Sequence, residues 1–408
     1  QEGMAEALHP GPFGSGIEKS EKLKMNNDNR NISHRRTARI ITVASGLLFT
    51  AFSFVYLAFF QKDVLEALHY SLAQGKTVYA PWISAVVITA VLLLLRWGIN
   101  SVIRLQGFLA ALSYFPSFLL LGVLTDVGHG VYHGEGISSV WMWLLPVILV
   151  LYVLIGCLLA RVSGSLTLKV SEVGVANSNF LILLMLCLTT VCIGNTNVHF
   201  HHELQVEEAL RKQDYVKALK VAEKTMDPSR NLTALRAYAM SREGTMGEHL
   251  FRYPQLYGAA GLLMGTFDAE ALRLNADSLY VYLGASPKLG ESAMNFFQRI
   301  CEEESGNYTT MDYYLSALLL ERKLERFVEV FDELYTVRDS IPYYYRQALF
   351  LDKKLHVSSV SSDTTDVAME ELWEKYQQKR QELAGQRGEG NRMRREFGDT
   401  YWWYYQYK

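Results

Sequence analysis

The sequence predicts an all-α protein in which a five-helix transmembrane bundle is followed by a soluble, repeat-like α-helical domain. Three observations lead there. Five apolar runs crowd the first half of the 408 residues, almost free of charge. The second half is rich in Glu, Lys, Arg and Tyr and carries its apolar positions at helical spacing. Mean hydropathy is only +0.04 although 50% of the residues are hydrophobic, as expected of an average over two unlike halves.

A bilayer core of about 30 Å takes about 20 apolar residues in a helix. The runs fall at about residues 40–60, 79–95, 105–125, 140–160 and 178–196, within a transmembrane domain of residues 39–197. The first is too long for a signal peptide, and the bulky residues 56–61 offer no small-residue cleavage site, so it reads as an uncleaved anchor. Residues 1–38 read as a disordered, basic N-terminal segment, with Gln1 to Lys24 an upstream extension and Met25 a natural start.

Orientation follows from Lys and Arg in the short loops. Arg30, Arg35, Arg36 and Arg39 precede the first run, Arg96 and Arg104 separate the second from the third, and Arg161 and Lys169 the fourth from the fifth. The opposite side carries Lys62 and Lys76 and then no Lys or Arg across residues 126–139. The N-terminus is therefore expected inside, and everything after Asn197 outside. The interiors of the runs hold almost no ionisable group, which disfavours an ion-coupled transporter.

Residues 198–357 read as an extracytoplasmic helical domain. Residues 203–211 and 215–225 form one predicted helix pair, and 313–322 with 327–335 another. The run from Asp214 to Leu219, with the small Ala218, followed by Pro228, resembles the second helix of a tetratricopeptide repeat. Pro228 comes early, Val330 occupies the small-residue position of the second pair, and the copies do not keep a repeat period, so the domain is repeat-like and not an array. Residues 358–408 read as a flexible linker (358–366), a charged helix (369–384) broken at 385–390, and an aromatic tail. So many rings are expected to pack back onto the helical domain; the competing reading is a strip that docks a partner or the bilayer surface.

Several strings resemble an uncharacterised family of multi-pass membrane proteins from Bacteroides-type bacteria. They are Ser113-Tyr-Phe-Pro-Ser-Phe-Leu119 with Leu124-Thr-Asp126, Gly194-Asn-Thr-Asn197, Arg236-Ala-Tyr-Ala-Met-Ser-Arg-Glu-Gly244, Leu250-Phe-Arg-Tyr-Pro254, Asp277-Ser-Leu-Tyr280 and Gly398-Asp-Thr-Tyr-Trp402. The resemblance implies the bacterial inner membrane, with a cytoplasmic N-terminus and a periplasmic C-terminal domain once the charge bias is added. It implies no activity and no catalytic residue.

A net charge of -2 gives no basic field for nucleic acid. Cys157, Cys187, Cys192 and Cys301 form no CxxC or zinc-type spacing. Nucleotide-loop, nucleophile-elbow and HExxH patterns do not occur. His129 and His133, near Asp126, have the chemistry of metal ligands, but the glycines around them suggest a mobile loop. His199 and His201 would share one side of an extended segment, and a polar collar beside the membrane explains them as well. Asp63 and Glu66 follow the first run, where membrane glycosyltransferases that use polyprenyl-phosphate sugars place an acidic base or metal ligand; acids opening a helix explain the pair equally. Asp63, Glu66 and Asp126 are thus the candidates for catalysis. No cofactor and no metal are expected.

Two functional readings result. The leading one is a non-enzymatic envelope scaffold, held in the lipid bilayer and presenting a helical domain to a protein partner. The alternative is a membrane enzyme of lipid-linked sugar or cell-envelope metabolism.

Overall fold

The computed structural model describes residues 36, 38–167, 171–265, 268–303, 308–335, 340–356 and 366–408, without the side chains of 162–167 and 308. The expected N-terminal segment apart from Arg36 and Ala38, the charges Arg30, Arg35 and Lys169, and the linker before Asp366 lie outside these residues. Among the described residues every regular element is helical. The chain divides into two compact units, one of Gln1–Gly130 with Glu135–Thr196, the other of Val131–Gly134 with Asn197–Lys408.

The first unit holds α1 (Ala38–Phe60), α2 (Lys62–Ala73), α3 (Pro81–Ile103), α4 (Gly107–Leu124), α5 (Trp141–Thr167) and α6 (Glu172–Ile193). All but α2 are long and apolar enough to cross a membrane. Pro81 opens α3, where its missing N–H costs nothing. Sequence reading ended that run at Leu95, yet the helix continues through Arg96 to Ile103. The Arg96 guanidinium lies 4.6 Å from the centre of the Tyr114 ring and donates to Ser113 Oγ at 3.3 Å, so the charge is met within the protein and need not end the helix. The fifth run also starts earlier than expected, at Glu172, because Ser171 caps it by accepting Gly174 N–H at 3.1 Å.

α4 is the most enclosed of the five and α5 the least, with 56% against 6% of an 18-residue stretch buried. Its first two turns, Gly107–Tyr114, wind as a 3-10 helix. Polar side chains of α6 meet the backbone groups of those turns. Asn179 accepts Ala111 N–H at 2.7 Å and donates to Gly107 O at 2.8 Å, while Ser178 donates to Phe108 O at 2.9 Å. In an apolar medium such groups must be satisfied internally. Gly194 ends α6 where Tyr56 and Thr125 share a hydrogen bond at 3.1 Å; a Cβ there would collide with both. The next residue, Asn195, donates its backbone N–H to Thr125 O at 2.9 Å and its amide to Val127 O at 2.6 Å, and its carbonyl accepts Gln61 Nε2 at 2.8 Å. The ends of α1, α4 and α6 are therefore joined at one point.

The second unit contains α7 (Val198–Arg211), α8 (Tyr215–Lys220), α9 (Arg230–Glu243), α10 (Met246–His249), α11 (Ala276–Leu283), α12 (Ala293–Glu302), α13 (Tyr308–Leu320), α14 (Leu324–Leu334), α15 (Tyr343–Leu355), α16 (Val367–Leu383), α17 (Glu389–Phe397) and α18 (Tyr401–Tyr407). Asn197, Asp214, Ser229 and Asp366 cap α7, α8, α9 and α16. Sequence reading carried the second helix of the first pair to residue 225, but α8 ends at Lys220. Beyond it the carbonyls of Val221 and Ala222 turn to the buried Arg236, which donates to them at 2.9 and 2.6 Å. Burial lowers the Arg236 pKa to about 10, and its guanidinium stacks over Tyr253 at 4.6 Å.

The aromatic tail forms α18 and is buried from Tyr401 to Tyr404. Trp402 Nε1 donates to Gln347 O at 2.9 Å, and its ring meets Trp373 edge-on at 4.9 Å. Tyr404 OH donates to Leu320 O at 2.9 Å, tying the last helix to the end of α13. The rings contribute apolar burial while their polar tips find backbone acceptors.

Candidate binding cleft

The residues singled out from sequence fall in separate places. Asp63 lies in the first turn of α2 and Glu66 one turn on. Asp126 is engaged, its Oδ2 accepting Trp141 Nε1 at 2.6 Å. The segment expected to be a mobile glycine-rich loop is instead a built turn, His129–His133, with Val131 fully buried. Tyr132 anchors this turn by donating to Glu203 at 2.9 Å, and His133 lies 3.3 Å from Glu270. His199 and His201 are not in an extended segment either. Asn197 accepts the N–H groups of His199 and Phe200 and starts α7 there, so His199 and His201 sit in its first turn, and His199 shares a face with His202, which opens the second, and not with His201. His202 is held below the usual histidine range by burial, then by Arg236 and its histidine neighbours. Among the described residues no group of three His, Cys, Asp or Glu is placed to hold a metal.

Sequence reading missed two buried carboxylates, Glu203 and Glu207, one turn apart on α7. Glu203 accepts Tyr132 OH, Ser229 Oγ at 2.5 Å and Asn231 Nδ2 at 3.0 Å. Glu207 accepts the N–H groups of Leu272 and Arg273 at 2.9 and 3.0 Å, with the Arg273 guanidinium 3.9 Å away. Burial raises the Glu207 pKa to about 7, against the pull of those N–H groups and Arg273. Every oxygen of the pair meets a donor from another segment. The cluster binds three stretches of chain to α7, and it works as internal scaffolding.

An open site lies elsewhere in this unit. A cleft of about 410 Å³ is bounded by residues 223–226, residues 251–255, the end of α17 and the aromatic helix α18. Two of the strings that carry the family resemblance, Leu250 to Pro254 and Gly398 to Trp402, meet across it. Arg394 lies over the Trp403 ring at 5.4 Å. Gly398 makes the turn between α17 and α18 possible, because a Cβ there would collide with the Arg394 carbonyl and side chain. The polar tips of the wall rings point inward to the protein: Tyr253 OH donates to Leu219 O at 3.0 Å and Trp403 Nε1 to Gly390 O at 2.9 Å. The cleft offers solvent the exposed charged side chains of Lys224, Arg252, Arg395, Glu396 and Asp399 and the apolar Met226. Asp63, Glu66 and Asp126 do not line it. Nor do they line the apolar groove between α4 and α5 around Phe115 and Tyr152, or the shallow one around Tyr343 and Lys375.

Among the described residues every regular element is helical, and five helices have the length and apolar composition to cross a membrane, the pattern of a membrane protein. Residues 129–294 and 273–408 match the Family of unknown function (DUF6057), and the chain belongs to that family. No curated protein and no solved structure matches it.

Proposed function

We propose that this protein is a scaffold of the bacterial inner membrane, with its N-terminus in the cytoplasm and its helical unit in the periplasm, where that unit binds a protein partner. The orientation rests on Arg36, Arg39, Arg96, Arg104 and Arg161 standing at alternate ends of the apolar helices from Lys62 and Lys76. The repeat-like reading of the helical unit draws support from Ala218, a fully buried small residue on α8, which packs against α7 and α9. The observation that carries the binding role is the cleft beside α18, whose walls are fixed by internal hydrogen bonds while its rim is charged. The alternative, an enzyme acting on lipid-linked sugars, gains nothing from Asp126, which is already bonded to Trp141.

The test is a pair of fusions with a photo-crosslinking experiment. A reporter active only outside the cytoplasm is expected to be active after Lys408 and silent after Gly164; the reverse pattern rejects the orientation. A photo-crosslinking residue in place of Met226, at the cleft rim, is expected to give one discrete protein adduct in cells. Lipid adducts alone reject the scaffold.

A further inference from the structure

We propose that the cleft beside α18 takes an acidic peptide segment of the partner, its carboxylates held by Lys224 and Arg395 and an apolar side chain resting against Met226. This inference rests on the scaffold reading and names the chemistry of its partner. Apart from the last residue, four cations line the cleft (Lys224, Arg252, Arg394 and Arg395) against three acids, Glu223, Glu396 and Asp399. Two of the acids are already matched, Glu223 with Arg252 and Glu396 with Lys379, the latter at 3.4 Å. Lys224 and Arg395 form no ion pair among the described residues, and Arg394 is engaged with the face of Trp403. The cleft therefore carries unmatched positive charge, which attracts an anion from a distance and orients it on arrival.

The remaining acid decides which anion. Asp399, on the wall, repels a compact multiply charged phosphate group. It also presents an acceptor that the backbone N–H groups of a peptide can satisfy. An extended peptide can space its carboxylates to meet Lys224 and Arg395, which stand on different segments of the lining. The volume of about 410 Å³ lies within the range of ligand pockets, and Met226, 59% exposed, gives the site an adaptable apolar lip. The walls need no rearrangement, because Tyr253, Trp403 and Tyr404 are each held by a backbone carbonyl of the same unit.

Fluorescence anisotropy on the full chain in detergent micelles tests this, with a labelled peptide of alternating glutamate and leucine as probe. Saturable binding is expected, with none for the lysine–leucine counterpart. The double variant Lys224→Glu/Arg395→Glu should weaken binding by at least about tenfold, whereas Lys375→Glu, at a different groove, should leave it unchanged. Both positions of the double variant are exposed, and an unaltered melting temperature checks that it folds. Equal affinity for wild type and double variant overturns the proposal. So does displacement of the peptide by inorganic phosphate but not by sodium chloride of equal ionic strength, which makes the site a phosphate site. Binding of anionic vesicles in place of the peptide overturns it in favour of a lipid surface. Loss of peptide binding with the crosslinked partner retained sinks this site and leaves the scaffold; a reversed reporter pattern sinks the orientation and leaves the cleft chemistry standing.

Discussion

Tyr132 donates its hydroxyl to the buried Glu203 carboxylate at 2.9 Å although 71 positions separate the two residues. The phenol pKa lies far above its usual value, raised first by burial and then by Glu207 and Glu203, so the hydroxyl stays a donor at any physiological pH. Removing it with Tyr132→Phe leaves Glu203 with Ser229 and Asn231 as donors. A loss of about 1.5–3 kcal/mol is expected, the range for a hydrogen bond to a charged group. Thermal unfolding of the purified protein measures it, and an unchanged melting temperature contradicts the anchoring role of the turn at 129–133.

Glu207 gives the helical unit a pH dependence with a defined sign. Its folded pKa of about 7 stands above the ordinary 4.5, so the folded chain keeps a proton that the unfolded chain releases between those values. Its contribution is fully present below about pH 4.5 and is lost as pH rises through 7. Glu203, Tyr132, Arg273 and Glu208 surround it, and none is altered in Glu207→Gln. Subtracting that variant's stability profile from the wild type should leave a slope confined to this window; parallel profiles would show that Glu207 does not titrate there.

The aromatic helix should act as a clasp. Trp402 is buried among Phe350, Trp373 and Tyr376, and Trp402→Ala is expected to cost about 3–5 kcal/mol. Deleting residues 401–408 should lower the melting temperature further and open the helical unit to protease. If the shortened chain melts as before and loses only partner binding, α18 is a recognition element and not a clasp.

Gly194→Ala tests the junction of α1, α4 and α6. The added methyl collides with the Tyr56 hydroxyl and Thr125 Oγ1, and overpacking of this kind costs about 1–3 kcal/mol. Combining it with Tyr56→Phe, which removes one of the colliding atoms, should recover part of the loss. Equal stability of the single and double variants, measured by heat denaturation in detergent, would place the strain elsewhere.

The five apolar helices, and the start of α8 at Tyr215, were legible in the sequence alone. A run of that length and composition identifies a spanning helix without knowledge of its neighbours, and a cap is a local bond, as Asp214 shows by accepting Lys217 N–H three residues on. It misjudged the end of α3 because the partner that accommodates Arg96 is Tyr114, on another helix. It overlooked Glu203, Glu207 and Asn179, since nothing in a local pattern distinguishes a buried polar side chain from an exposed one; apart from Val175 O, which Asn179 also meets, their donors and acceptors lie 26 to 72 positions away. The cleft was illegible for the same reason. Its walls come from residues 223–226, 251–255 and 394–408, and only the packing of α18 against α13 and α15 brings them together. Hydrophobic length is written along the chain, whereas the pairing of distant charges, and with it any binding chemistry, exists only once the core has closed.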